Sequence, residues 1–415
     1  MKRNRERKVA SRAGRILLIL GIAGLSGVSM QGQPSQYLEG SALFQQERYP
    51  EAIPLLQQAR SSDPGNARIL EMLGKALYQM EEYAPARDVF LVLETRDPAA
   101  GSLHLARTEA MLNHPEQALR HLELYLRSAD KLPEPVLMLD PALSRLDTDP
   151  RWHTLWARED WYSPLDRQFQ EALFLKDRQE YLEALNLLLA LEQSGYRKTE
   201  VAYQKALVYK TLGNEKAARS ALKIALDNDP RHVDALEELA RLEETRGNHK
   251  EAVPLYDRLL RQDPVRFPAY LDRAVAKSGA GMAEQALKDV DAYLAYFPEA
   301  DSAYYLKGRL AYENGKYLES LKAMNIALEM EAGRAEYWLL RGQSHAATNG
   351  LRYAARDLSM SLDLDPFQGE TWNALAGVAL AAGDREEACR CFNMASLYGI
   401  LEAGQWVERN CAGTK

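Results

Sequence analysis

Residues 233–266 read VDALEELARLEETRGNHKEAVPLYDRLLRQDPVR, and residues 267–300 read FPAYLDRAVAKSGAGMAEQALKDVDAYLAYFPEA. Laid over one another without a gap, they match Ala240 with Ala274, Gly247 with Gly281, Ala252 with Ala286 and Pro264 with Pro298. The step of 34 extends outward in both directions. Pro230, Pro264, Pro298 and Pro366 lie one, one and two steps apart, and Pro64 and Pro98 repeat the step near the start. With repeats begun at 199, 233, 267, 301, 335 and 369, the eighth place holds Ala206, Ala240, Ala274, Gly308, Gly342 and Ala376. The twentieth holds Ala218, Ala252, Ala286, Ser320, Ala354 and Ala388. Large residues take the fourth place (Tyr270, Tyr304, Trp338, Trp372) and the twenty-fourth (Leu222, Tyr256, Val290, Met324, Leu358, Phe392).

A fixed period of this length marks stacked supersecondary units. Each repeat reads as two helices, A and B, that cross where the small residues sit. Larger side chains there would overpack at about 1–3 kcal/mol per site. Glycine or asparagine in the A–B turn (Gly213, Gly247, Gly281, Gly315, Asn349, Gly383) stops helix A with a left-handed residue. Proline near the end of helix B stops that helix in turn.

These positions resemble the tetratricopeptide repeat family over residues 33–130 and 165–400. The resemblance implies an all-α, right-handed superhelical solenoid of about ten helix pairs that works by holding other proteins. Upstream the pattern loosens. A repeat from 33 has Gly40, Ala52, Ala59 and Pro64, and one from 67 has Leu70, Leu73, Gly74, Tyr83, Ala86, Phe90 and Pro98. A third, from about 101, puts Thr108 at the small place and its Ala118 two residues early; one from about 165 has Ala172, Tyr181, Ala184 and Leu188 without a closing Asp-Pro.

Residues 131–164 break the period. Pro133, Pro135, Pro141 and Pro150 cut them into short pieces, and Trp152, Trp156, Trp161 and Tyr162 cluster at the end. The stretch reads as a helical spacer whose aromatics either wedge against neighbouring helices or form an exposed recognition patch. Residues 401–415 read as a capping helix and tail, with Trp406 covering the apolar end of the last repeat.

The first fifteen residues hold Lys2, Arg3, Arg5, Arg7, Lys8, Arg12 and Arg15 against Glu6 alone, and an apolar run at residues 16–30 follows. Charge, then apolar, then small residues is the order of a secretory signal over residues 1–32. A run interrupted by Gly21, Gly24 and Gly27 falls short of the roughly 20 residues that span a bilayer, which favours cleavage over a retained anchor. The expected destination is the periplasm or cell envelope, with membrane attachment only through an uncleaved signal. Removing the segment takes the net charge from −7 to −13. So acidic a chain repels phosphate backbones, which excludes nucleic acid as a partner. Cys389, Cys391 and Cys411 are an odd count. Cys389 and Cys391 point roughly 200° apart on a helix and do not bridge each other, so Cys411 can staple the chain end to either.

The resemblance places helix A of each repeat on the inner face. There it exposes Tyr203, Arg241, Tyr305, Arg309, Tyr312, Gln343 and Asn373, which are the candidate partner-binding residues, amid Asp234, Glu237, Glu238, Glu244 and Asp272. Tyrosines offer flat area with a polar tip, and arginine offers a fork for carboxylates, a composition suited to a peptide or helix in a groove. The fifth and ninth places do not reproduce the family's lysine-and-asparagine carboxylate clamp, which argues against a chaperone-tail receptor. No phosphate loop, nucleophile elbow or His-Glu-x-x-His pair occurs, and His104, His114, His121, His153, His232, His249 and His345 do not recur at metal-ligand spacing. The sequence reads as a non-enzymatic scaffold without cofactor, metal or small-molecule substrate. The alternative is an accessory subunit of an envelope enzyme or export complex.

Overall fold

The computed structural model describes residues 35–129 and 131–411, so the expected leader at residues 1–32 lies outside it. Among the described residues every regular element is helical. The chain divides into two compact units. One comprises the residues up to Leu132 with Val136–Trp152, the other Pro133–Pro135 with everything from His153.

In the first unit α1 (Ser35–Gln45) pairs with α2 (Tyr49–Ser62), α3 (Ala67–Gln79) with α4 (Tyr83–Glu94), and α5 (Pro98–Met111) with α6 (Pro115–Leu126). The spacer makes α7 (Glu134–Met138), a 3-10 turn at Leu143–Leu146, α8 (Pro150–Trp156) and a second 3-10 turn at Glu159–Trp161. The second unit pairs α9 (Pro164–Asp177) with α10 (Tyr181–Ser194), α11 (Lys198–Thr211) with α12 (Glu215–Asn228), and α13 (Val233–Thr245) with α14 (His249–Gln262). It continues with α15 (Pro268–Gly279) and α16 (Ala283–Tyr296), α17 (Asp301–Glu313) and α18 (Tyr317–Met330), α19 (Ala335–Ala347) and α20 (Leu351–Leu364), then α21 (Gly369–Ala381) and α22 (Arg385–Leu397). The last helix, α23 (Leu401–Asn410), packs on α22.

Crowding explains the small residues. A Cβ added to Gly308 would stand 2.7 Å from Met324 Sδ, and one on Gly342 would stand 2.8 Å from Leu358 Cγ. The eighth place of a repeat therefore faces its own twenty-fourth. Ala252, Ala286, Ala354 and Ala388 at the twentieth are fully buried. The A–B turn is left-handed in every pair, and outside the first three pairs and the α9 pair Gly213, Gly247, Gly281, Gly315, Gly383 or Asn349 supplies it. In those four pairs Glu47, Glu81, Asn113 and Gln179 adopt the same positive φ, so the turn geometry outlives the glycine.

The third repeat departs from its expected frame. Ala106, not Thr108, lies twelve residues before Ala118, and both alanines are fully buried. That is the spacing of Gly74 and Ala86 one repeat earlier. The frame thus starts at 99, because α4 has 12 residues where α2 has 14. Pro64 precedes α3 by three residues, whereas Pro98 is the first residue of α5, with Asp97 as its N-cap accepting from the Ala100 N–H at 3.0 Å. Their 34-residue separation is coincidental.

The spacer aromatics are core. Trp152, Trp161 and Tyr162 are buried, Trp156 is half-buried, and the Trp161 indole N–H donates to the Leu155 carbonyl at 2.8 Å. At the other end Cys389 pairs with Cys411, and Cys391 stays a buried free thiol. Trp406 lies on Phe392 with ring centroids 4.3 Å apart, and α23 packs on the last pair.

Candidate functional site

Consecutive A helices α13, α15, α17, α19 and α21 lie against one another, making one face of the second unit a row of A helices. Helical spacing places residues three or four apart on the same side of each. Six of the seven candidate residues fall on this row and Tyr203 on α11, the A helix before it, in two different settings.

Toward α11 and α13 the face is internally paired. Lys176 Nζ donates to Gln204 at 2.8 Å, and Gln204 to Glu200 at 2.8 Å. Lys210 meets Glu238 at 2.5 Å, and Arg266 bridges Asp234 at 2.7 Å and Glu237. Arg241 is held by Glu237 at 2.6 Å and by Asp272, from the next repeat, at 3.1 Å. Tyr203 packs on the His232 ring at 5.0 Å, and burial, aided by the field of Asp234, Glu238 and Glu200, pushes its phenol up to about 12. Glu238 and Asp272 cross-link neighbouring repeats while Glu200, Asp234 and Glu237 bond within their own, so Arg241 belongs to the scaffold's own bonding and Tyr203 packs beside it.

Toward the C-terminal end the face opens. Tyr312, Gln343 and Asn373 come from α17, α19 and α21 and line one cavity of about 630 Å³. Leu358, Ala374, Gly377, Val378 and Ile400 supply its apolar wall, and the exposed Glu370 a carboxylate. Tyr305, one turn before Arg309, stacks on Tyr337 with centroids 5.0 Å apart. Tyr312 leans on Tyr317 at 5.4 Å. Burial raises the phenol pKa of Tyr305 and of Tyr312, so both stay neutral hydrogen-bonding groups. The Arg309 Nε–H is buried without a hydrogen-bond partner, and Glu313 Oε1 stands 3.9 Å from it. Three candidates therefore line one opening, and Tyr305 and Arg309 lie on α17, the helix that supplies Tyr312.

Such a wall offers shape and hydrogen-bonding groups that can bind and orient a ligand. Among the described residues no group of three His, Cys, Asp or Glu side chains converges as a metal would need. A cluster of serine, histidine and carboxylate in the first unit has Ser102 and His121 both bonded to Glu94, at 2.7 and 2.9 Å. The serine hydroxyl donates to the acid and leaves the imidazole no proton to take. No described helix is long and apolar enough to cross a membrane.

The family model described as tetratricopeptide repeat matches residues 37–101, 203–266, 271–335 and 307–351. The chain belongs to the tetratricopeptide repeat family. That fold supports a protein–protein interaction scaffold, and proteins built from it are generally non-enzymatic. No curated protein matches the sequence. Among solved structures it is similar to a tetratricopeptide repeat protein from Parabacteroides merdae, at 16% identity over 59% of this chain and 97% of that one, TM-score 0.49. Yeast Tom70 is similar at 14% identity over 91% and 95%, TM-score 0.38. YrrB, described as a tetratricopeptide protein with an unusual peptide-binding site, matches at 18% identity over 44% and 94%, TM-score 0.36.

Two parts of the tetratricopeptide site escape a reading of inner positions. Ile400 reaches the cavity from the turn before α23, past the last helix pair. Glu370 holds the second place of its repeat, as Asp234 does, and only the cavity distinguishes it. A ladder between repeats was legible in hindsight as a basic seventh place facing the twenty-fifth of the repeat before. It runs through Arg273 with Asp257 at 2.8 Å, Lys307 with Asp291 at 2.6 Å and Arg341 with Asn325 at 2.9 Å.

Proposed function

We propose that this protein is an exported scaffold of the periplasm or cell envelope that lays a peptide or helix of a partner protein along the α17–α19–α21 face. The cavity shared by Tyr312, Gln343 and Asn373 carries the reading. It is concave, mostly apolar, and has a few polar groups set to fix orientation, as ligand sites are. Carboxamides can satisfy a passing backbone N–H and C=O while the apolar wall takes a side chain. Partner recovery from envelope extracts should be lost when Tyr312→Ala, Gln343→Ala and Asn373→Ala are combined. A folded triple variant that retains every partner refutes the assignment.

Export rests on the order of residues 1–32, and the Cys389–Cys411 pair supports it because structural disulfides persist in oxidising compartments. Mass measurement of the protein from fractionated cells tests this. A mature start near residues 29–33 is expected, and a cytosolic chain still carrying Lys2 overturns it.

A further inference from the structure

The groove reading above leaves open what the partner segment must carry, and three arginines at the same place of a repeat answer it. Arg107, Arg241 and Arg309 each hold the ninth place, the first in the frame beginning at 99. Two are satisfied by carboxylates of this chain. Arg107 Nε donates to Asp140 Oδ2 at 2.7 Å. Arg241 is held by Glu237 and Asp272. Arg309 stands two steps of 34 beyond Arg241, and the places that supply Arg241's two acids hold Tyr305 and Leu340 there. Among the described residues the only carboxylate in ion-pairing range is Glu313, at 3.9 Å, and the buried Nε–H is bonded to nothing. A buried donor is costly to leave unmade, and a guanidinium fork fits a carboxylate bidentately.

We propose that Arg309 receives the side-chain carboxylate of an Asp or Glu within an extended partner segment, whose next residues occupy the cavity beside Tyr312. The paired arginines show which source fits. Asp140 and Asp272 are side chains on backbones that continue past the arginine, so an internal acid matches the place better than a chain end. Beyond Arg309, Gln343 and Asn373 meet the continuing backbone, while Val378 and Ile400 accept an aliphatic side chain. Glu370 on the cavity wall repels a second acid there. The sequence recognised is thus an acidic residue followed by an aliphatic one.

The test uses the full chain and a library of fluorescein-labelled nonapeptides, each made with its C-terminus amidated and again with it free, with Asp, Glu, Asn or Gln at the centre and randomised aliphatic or charged residues after it. Fluorescence anisotropy should rank acid-then-aliphatic peptides at least tenfold tighter than their Asn and Gln counterparts. Arg309→Met, which keeps the apolar stem, should erase that tenfold preference and leave the weaker amide peptides unchanged. It should also melt no lower than the parent, whereas Arg241→Met, which abandons two internal acids, should melt lower. The inference is overturned if Arg309→Met keeps the preference, if amide and acid peptides bind alike, or if only peptides with a free C-terminal carboxylate bind. In those cases the groove assignment stands provided Tyr312→Ala with Asn373→Ala still abolishes binding. If the parent chain binds no peptide of the library, both readings fall.

Discussion

Gly342 and Gly377 stand in neighbouring A helices, α19 and α21, and differ in what surrounds the absent methyl group. A Cβ on Gly342 would lie 2.8 Å from Leu358 Cγ, 3.0 Å from its Cδ2 and 3.3 Å from the Ala354 carbonyl oxygen; on Gly377 it would meet nothing within 4 Å. Replacing glycine by alanine inside a helix gains about 1 kcal/mol wherever the methyl fits. At Gly377 that gain should be the whole effect. At Gly342 the methyl must move a fully buried leucine at its branching carbon and crowd a backbone carbonyl that cannot yield. Overpacking of about 1–3 kcal/mol outweighs the helical gain and leaves a net loss of about 1 kcal/mol. The two variants should therefore differ by about 2 kcal/mol and have opposite signs. Urea denaturation followed by helical circular dichroism reads this as midpoints displaced to either side of the parent. Gly342→Ala matching or exceeding Gly377→Ala in stability would refute the close nesting of A and B helices from which the fold is argued.

Closing the loop between Cys389 and Cys411, 22 residues apart, stabilises the capped end by about 3 kcal/mol in the chain-entropy account. Cys411→Ser should accelerate amide exchange across Leu401–Asn410 while the preceding repeats keep their protection. Glu81 holds φ 60° in the α3–α4 turn, a conformation that costs a side-chain-bearing residue about 1 kcal/mol, so Glu81→Gly should raise the melting point of the first unit. Glu71 is lowered to about 2, chiefly by its hydrogen bond from His104. A depressed carboxyl contributes stability above its unfolded pKa of about 4.5 and loses it as pH falls toward 2. Thermal melts between pH 5 and pH 3 should accordingly decline less steeply for Glu71→Gln than for the parent.

The helical fold was legible because small residues recur where two backbones meet, and no other place in the repeat is so intolerant of bulk. The frame of the third repeat was not, since Asp97-Pro98 mimics a loop signal while serving as a helix start. Candidate residues were readable as a face but not as a site. Arg241 and Arg309 occupy the same place of their repeats, and the differences between them lie four residues upstream, in Glu237 against Tyr305, and 31 downstream, in Asp272 against Leu340. Periodicity sorts residues by where they point, whereas availability depends on what the neighbouring repeat offers in return. The choice of Cys389 over Cys391 has the same origin. Cys391 faces the packed interior of the α21–α22 pair, and burial pushes its thiol up to about 12, while Cys389 faces the returning chain.

The sulfur bridge also decides how the protein would answer to being pulled. Tension applied at its final residues enters the body of the molecule at Cys389, inside α22, and bypasses α23 altogether. A tether attached there would load the last full helix pair directly, and the small terminal helix would ride slack within the loop until the bridge was reduced.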